Sequence, residues 1–368
     1  LRAAAGYTLM LKISGFAVQY LYGARLFGGV DAEFRDGEII SFYGGEGSGK
    51  SSFLKGLCGA APAEGSVLLD GRPVGAKTDD VVMVFQDGAV FPFKSVYDNL
   101  AYPLAIRGTD KAEIARKVLA AAEEMGITAC LNMRARSLSL AEKRRMSLAR
   151  MAVRKARLYI ADSPTAGLAR EDAESVFEDL CSLMRRLAAE GGTVIYSTSD
   201  RAEALAAADR IAVLVGGELK QLGSAYDIRR APASVWAAQA VDKWYNFTKC
   251  TLTDENGSMK LVFGEDDVLD AEVLRGRVQE SYVGSEVLAG WFPEDAAGEK
   301  TSPLAYAVGE RCSHVSVSAE GIAERGVERK DKVRIRPDVA KVTLFDRTNE
   351  FSIMSDGSDG SGSPGEDT

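Results

Sequence analysis

Histidine is almost missing from this sequence, which contains a single one, His314, in 368 residues. Cysteine is sparse as well, and no two cysteines form a C-x-x-C pair. The five cysteines are Cys58, Cys130, Cys181, Cys250 and Cys312. Zinc sites need closely spaced histidine or cysteine ligands, and disulfide scaffolds need paired cysteines. The scarcity therefore excludes a zinc cage and favours reduced thiols in a cytoplasmic protein.

An excess of basic charge is also lacking, since 53 acidic residues face 45 basic ones and the net charge is -8. This balance disfavours sequence-independent binding of nucleic acid, so we expect no nucleic-acid partner. Long apolar runs are absent too, because the stretch ISGFAVQYLYGA is bounded by Lys12 and Arg25. It falls short of the roughly 18 residues of a transmembrane helix, which predicts a soluble chain.

The pattern of apolar residues divides the chain into two domains and a tail. Up to about residue 240, buried strands such as DVVMVFQD and TVIYST alternate with helices such as KAEIARKVLAAAEEMG, which predicts a mostly parallel α/β sheet. After Trp244, short alternating strands predict an all-β domain. The predicted bounds are 8–240, with a helical subdomain at about 88–155, then 241–350, and a disordered acidic tail at 351–368 whose low-complexity part begins at Ser355.

The strongest motif is GGEGSGKS at residues 44–51, which fits G-x-x-x-x-G-K-[ST] between a predicted strand and a predicted helix. Its glycines let backbone N–H groups close around phosphate oxygens, Lys50 reaches the β and γ phosphates, and Ser51 can ligate Mg²⁺. The alternative is a glycine turn that only packs. The motif predicts ATP and Mg²⁺ as cofactors. The predicted nucleotide-binding residues are Gly44, Gly45, Gly47, Ser48, Gly49, Lys50, Ser51 and Ser52.

A second motif, LYIADSPT at residues 158–165, is a short apolar run that ends in Asp162. Read alone, this aspartate is as well explained as a helix cap or turn residue. In P-loop proteins, however, a second strand presents an aspartate that holds the Mg²⁺ shell. Together with the upstream P-loop, the motif predicts Asp162 as a metal ligand.

These motifs, with three further stretches, resemble those of the ATP-binding-cassette (ABC) transporter ATPases, in particular the importer subunits of the maltose and oligosaccharide type. The likeness spans roughly residues 8–350. VMVFQDGAVFPFKSVYDNLAYPL is similar to the glutamine loop, with Gln86, and LSLAEKRRMSLARM stands in the place of the LSGGQ signature, with Ser139. RLYIADSPTAGLA covers the Walker B strand and D-loop, and TVIYSTSDRAEALAAADRIAVLVGGELKQLG covers the switch-histidine region.

The resemblance implies further contacts to the nucleotide and its metal. Gln86 joins Ser51 and Asp162 as a metal ligand and, with Ser139, contacts the nucleotide. An aromatic residue upstream of the P-loop stacks on adenine in this family. Tyr20 is its expected counterpart and Tyr22 the second choice, and an ordinary core or surface tyrosine is an equally weighted alternative.

The catalytic positions of the family are altered. Ser163 stands where the general-base glutamate follows the Walker B aspartate, and Ser199 stands in place of the switch histidine. His314 cannot substitute from its position in the β domain. The signature glycines and glutamine are replaced by Leu140, Ala141 and Glu142, and the D-loop aspartate by Ala169. We therefore expect a chain that binds nucleotide but has no intact catalytic residue. The alternative is an ordinary ATPase with tolerated substitutions.

The carboxyl-terminal domain resembles the transport-associated OB-type domain of the same family, through YNFTKCTL, GWFPEDA and VTLFDRTNE. OB folds bind nucleic acids or sugars in other settings. The acidic charge balance and the resemblance instead favour an interaction module that meets its copy in a second subunit.

The expected function is an ATP-binding subunit of an ABC importer for small solutes, with sugars as the expected class. We expect a cytoplasmic location, peripheral on the inner face of the cell membrane. The expected partners are a second ABC ATPase, in a heterodimer rather than a homodimer, and permease subunits that contact the Gln86 loop. One alternative is a homodimeric sugar-importer ATPase with slow hydrolysis. Another is a nucleotide-sensing regulatory protein without a transport role.

Overall fold

The computed structural model describes residues 9–19, 25–75, 79–242, 245–263, 267–292, 295–300 and 333–354. The chain divides into two compact units, Leu1–Ala225 and Tyr226–Thr368. The division lies before residue 240, where the change of pattern is expected from the sequence.

The first unit contains a four-stranded antiparallel sheet and a six-stranded sheet, in the orders β2-β1-β4-β5 and β10-β9-β3-β8-β7-β6. Its strands are β1 (Leu9–Gln19), β2 (Arg25–Arg35), β3 (Ile39–Tyr43), β4 (Ala63–Leu69), β5 (Arg72–Pro73), β6 (Val81–Val84), β7 (Leu158–Ala161), β8 (Thr193–Thr198), β9 (Arg210–Val215) and β10 (Glu218–Gly223). Within the described residues, the α-helices are α1 (Lys50–Leu57), α2 (Val96–Ala105), α3 (Lys111–Glu124), α4 (Leu140–Ala152), α5 (Arg170–Ala189), α6 (Arg201–Ala207), α7 (Ala225–Arg230) and α8 (Val235–Val241).

The six-stranded sheet is parallel except for its edge strand β10. Strands β7 and β8 are buried along their whole length, as expected for parallel strands covered on both faces, and this explains the apolar sequence of β7 and the apolar centre of β8. The carboxyl ends of parallel strands share one edge of a sheet, where ligands bind in α/β folds. That edge carries the P-loop after β3, Asp162 after β7 and Ser199 after β8.

Helix α1 is anchored by an aromatic cluster under the P-loop. Phe53 lies 4.8 Å from Phe16, 5.0 Å from Phe27 and 5.1 Å from Phe42, measured between ring centroids. All four rings are buried. The cluster joins the antiparallel sheet to the parallel one and fixes the helix whose amino end follows the P-loop.

Helices α2, α3 and α4 lie in the stretch 88–155, where the helical subdomain is predicted, and pack with α5 into one apolar core. Arg145 of α4 donates to Asp179 of α5 at 2.7 Å. Among the described residues, no helix is both long and apolar enough to span a membrane.

The second unit is β-rich, which confirms the predicted fold class. Its strands are β11 (Asn246–Glu255), β12 (Ser258–Phe263), β13 (Asp267–Asp270), β14 (Glu286–Trp291), β15 (Ala296–Lys300), β16 (Val333–Pro337) and β17 (Thr343–Asp346). Five of them form an all-antiparallel sheet of OB type in the order β13-β12-β11-β14-β17, and β15 pairs with β16. Side chains of β12 alternate between buried and half-buried, because only one face of the strand packs on the core.

The packed part of the second unit continues to Met354. Phe351 pairs with Ser234 and Met354 with Val278, and Ile353 is buried beside Leu344. Residues 351–354 therefore belong to the folded unit and not to the acidic tail in which the sequence places them. His314 and the tail from residue 355 onward lie outside the described residues.

Candidate nucleotide-binding site

The loop between β3 and α1 needs glycine for steric reasons. A Cβ atom on Gly44 would lie 2.3 Å from the Leu214 carbonyl oxygen and 2.6 Å from Ser48 Oγ, closer than real contacts allow. Gly47 and Gly49 have φ angles of 75° and 92°, which disfavour other residues. The glycine spacing of the motif thus follows from the shape of the loop.

Lys50 directs its ammonium group into this loop. Its Nζ donates to the carbonyl oxygens of Gly44 at 2.6 Å and Gly45 at 2.8 Å, and to Ser48 Oγ at 3.3 Å. Burial lowers the pKa of Lys50, and the negative charges of Asp162 and Glu46 partly oppose that shift. The ammonium group is thus held where phosphate oxygens would meet the loop.

Asp162 is the centre of a cluster of hydroxyl groups. It directly follows β7 and is 1% exposed. Its Oδ1 atom accepts from Ser197 at 2.8 Å, from Ser51 at 2.9 Å and from Ser163 at 3.4 Å. A carboxylate beside a serine hydroxyl is the hard oxygen donor set that Mg²⁺ prefers. Ser51 and Asp162 therefore fit the metal that the P-loop implies.

A cavity of about 710 Å³ opens beside these groups, a size typical of cofactor sites. It is lined by most of the residues predicted from the sequence, together with residues that the sequence analysis did not assign. The predicted ones are Gly47, Ser48, Gly49, Lys50, Ser51, Ser52, Gln86, Ser163 and Ser199. The unassigned ones include Leu26, Glu46, Thr165, Thr198, Asp200 and Glu203. Tyr20 and Tyr22 lie outside the described residues.

Ser163 occupies a strained position and points its hydroxyl inward. Its φ angle is 45°, which is uncommon for a residue other than glycine. Its N–H donates to Ser197 Oγ at 2.9 Å, and its own Oγ lies 3.3 Å from Ser197 Oγ and 3.4 Å from Asp162 Oδ1. The hydroxyl thus bonds within the cluster, and a serine hydroxyl does not accept a proton from water at neutral pH as a carboxylate does.

Glu203 joins the segment after β7 to the end of β8, a role that the sequence analysis missed. Its Oε2 accepts from Thr165 Oγ1 at 3.1 Å and from Thr198 Oγ1 at 2.5 Å. Burial raises the pKa of Glu203, although these two hydroxyl bonds act in the opposite direction. Ser197 was missed as well, because one serine inside a buried strand gives no signal of its own.

Two side chains of the LSLAEKRRMSLARM segment cap the amino end of α4. Ser139 is the N-cap, and its Oγ accepts from the Glu142 N–H at 3.2 Å, while Glu142 Oε2 accepts from the Ser139 N–H at 2.7 Å. The hydrogen bond from the Ser139 N–H holds the pKa of Glu142 below its usual value. Ser139 does not line the described cavity of its own chain, so its contact with nucleotide stays a prediction.

Comparison with known proteins gives consistent results. The family model described as ABC transporter matches residues 27–166. The sulfoquinovosyl glycerol transport ATP-binding protein SmoE of Agrobacterium fabrum is 30% identical over 364 residues, covering 94% of this chain and 100% of the relative. The trehalose/maltose import ATP-binding protein MalK of Thermococcus litoralis is 31% identical over 375 residues, covering 90% and 97%.

A solved structure shares the fold of part of the chain. It is cbiO1 from Clostridium perfringens, described as part of the ABC transporter complex cbiONQ. The TM-score is 0.53 at 24% identity, and the match covers 60% of this chain and 90% of that one.

Proposed function

Since this chain belongs to the family of ABC transporter ATP-binding proteins, in its maltose and oligosaccharide import branch, we propose that it binds Mg-ATP in an importer of small solutes. Sugars are the proposed class of cargo, because the relatives named above are transport proteins for sugar-containing compounds. The observation that carries the proposal is the placement of Lys50 and Ser51 on the wall of one cavity, with the buried Asp162 carboxylate bonded to the Ser51 hydroxyl at 2.9 Å.

In the proposed complex, different residues of the site bind the phosphates and the metal. The amides of the loop and the amino end of α1 meet the phosphates, and Lys50 exchanges its carbonyl partners for phosphate oxygens. Ser51, Asp162 and Gln86 would hold the metal. Mg²⁺, when bound, neutralises phosphate charge. Ser197 and Ser163 remain on Asp162 and keep its carboxylate oriented.

We propose that this site hydrolyses ATP very slowly or not at all. Ser163 offers no proton acceptor, and Ser199 offers no imidazole to orient water. The inward hydroxyl of Ser163 supports this proposal over the alternative, a homodimeric ATPase that turns over slowly through other groups. Binding survives because the loop amides, Lys50 and the metal ligands are all present.

We propose a heterodimer with an intact ATPase as the working assembly. The amino end of α4 already holds the Glu142 carboxylate, which supports a weak signature. In a homodimer every site would combine this signature with the replaced base. With an intact partner, one site combines this chain's P-loop with the partner's intact signature. The other site combines the partner's intact catalytic residues with this chain's signature. The OB-type domain is the proposed second contact between the subunits.

The permease contact is proposed on the segment after Gln86. Phe93 is 72% exposed, and the guanidinium group of Arg136 lies 5.6 Å from its ring centroid. Lys94 lies over the rings of Phe91 and Tyr102, at 5.3 and 5.1 Å. An exposed aromatic surface of this kind suits a protein partner. Such a contact places the chain at the inner face of the membrane.

Titration of ATP in the presence of Mg²⁺ tests the binding proposal. The wild-type chain and Lys50→Ala are compared, and we expect the variant to lose most of its affinity because it loses the charge that meets the phosphates. Equal affinity of the two proteins would contradict the proposal. Thermal melting without nucleotide checks that Lys50→Ala still folds.

A further inference from the structure

The cavity that would receive the negatively charged nucleotide is lined by more acidic than basic side chains. Three carboxylates, Glu46, Asp200 and Glu203, line it together with one ammonium group, that of Lys50. A triphosphate therefore meets more negative than positive side chains on the cavity wall. Its charge must be balanced by backbone N–H groups and by a cation that arrives with it.

Two of these carboxylates already serve the local structure. Asp200 caps α6 by accepting from the Glu203 N–H at 3.1 Å. Glu203 accepts from the hydroxyls of Thr165 and Thr198. Each group thus has a structural reason to be there, and neither needs a ligand to explain it.

Glu46 has no such partner. It lies between Gly45 and Gly47 inside the P-loop and is exposed. In the part of the chain that the structure describes, its carboxylate makes no hydrogen bond and no ion pair. Glu46 and Lys50 line the same cavity, so the electrostatic field of this carboxylate reaches the ammonium group that meets the phosphates. A phosphate chain held by Lys50 therefore lies within the same field.

We propose that Glu46 makes the P-loop selective for nucleotide that carries a divalent cation, by repelling metal-free triphosphate. A bound divalent cation cancels much of the phosphate charge and so removes most of the repulsion. This inference rests on the proposed function, because it names which form of ATP the same site accepts. Its consequence is that loss of the metal promotes release of the nucleotide.

Calorimetric titration of ATP in excess MgCl₂ and in EDTA tests the proposal, with wild type, Glu46→Gln and the control Glu123→Gln. Glu123 is an exposed carboxylate on α3 that does not line the cavity. We expect Glu46→Gln to bind metal-free ATP about tenfold more tightly than wild type, which corresponds to about 1.4 kcal/mol. Its Mg-ATP affinity should change by less than about threefold, because the metal screens the charge. The tenfold difference should shrink as salt is added.

Three results would overturn the inference, and one separates it from the proposed function. The first is a Glu46→Gln variant that binds metal-free ATP no better than Glu123→Gln does. The second is a loss of Mg-ATP affinity in Glu46→Gln, which would make Glu46 a metal ligand instead. The third is equal wild-type affinity with and without metal. A wild-type chain that binds no ATP in MgCl₂ would instead refute the proposed function itself.

Discussion

Replacing Ser197 by alanine should destabilise the first unit by about 2–3 kcal/mol, since hydrogen bonds to charged groups contribute about 1.5–3 kcal/mol and an orphaned partner adds to the loss. The Ser197 hydroxyl is fully buried and donates to Asp162 Oδ1 at 2.8 Å. It also accepts from the Ser163 N–H at 2.9 Å, which alanine would leave without that partner.

Thermal unfolding measures this effect directly. At roughly 2–4 °C per kcal/mol for 150–250 residues, we expect the melting temperature to fall by about 5–10 °C. Ser147→Ala is the matched control, because Ser147 is also buried but donates only to the Lys143 carbonyl oxygen, at 3.0 Å. That neutral bond contributes about 1 kcal/mol. If Ser197→Ala is no less stable than Ser147→Ala, the Asp162 cluster does not hold the site together.

Three further predictions concern catalysis, the loop and pH. In a complex with an intact partner signature, Ser163→Glu combined with Ser199→His should raise phosphate release at this site by about 10²-fold or more, since a positioned base contributes 10²–10⁴-fold; robust turnover by the unmodified chain would refute the degenerate-site proposal. Gly44→Ala should abolish measurable ATP binding, because its Cβ would lie 2.3 Å from a carbonyl oxygen, whereas Gly45→Ala, with nothing within 4 Å, should bind normally. The raised pKa of Glu203 means that the folded state holds its proton more tightly, so this group's contribution to stability is lost as pH rises above the ordinary value of 4.5. Denaturant titrations from below pH 4.5 upward should show that the free energy of unfolding depends less on pH in Glu203→Gln than in the wild type. An unchanged pH dependence would contradict the raised pKa of Glu203.

The sequence predicted those parts of the fold in which one pattern, either an apolar run or a motif of fixed spacing, continues without interruption. Strand β7 is a continuous apolar run, and β8 has an apolar centre, because both faces of each strand are covered. The glycines of the P-loop and Asp162 were predicted because a motif fixes their spacing to a strand and a helix.

The missed elements have mixed patterns. Strand β1 carries bulges, and Gly15 has a φ angle of 58°, so the alternation of apolar residues breaks within the strand. Helix α2 contains Pro103, which normally argues against a helix. Here the proline lies near the carboxyl end, and Ser95 caps the amino end by accepting from the Asp98 N–H.

The missed site residues depend on contacts between distant parts of the chain. Thr165 and Glu203 are 38 positions apart and meet only because the strands before them are neighbours in the sheet. A single sequence carries no signal of such a pair, since each residue is ordinary in its own segment. Ser163 was identified as the replaced base, but its inward hydroxyl could be seen only from the positions of Asp162 and Ser197.

The capping box of Ser139 and Glu142 has a consequence for how this sequence could persist through evolution. Reciprocal capping of this kind stabilises a helix, typically by about 1 kcal/mol for the N-cap alone. The substitution that fills the amino end of α4 with a carboxylate is thus also a gain in helix stability. Selection for a stable fold would retain Glu142 even if no transport role favoured it, and a reversion toward an open signature would have to overcome that loss.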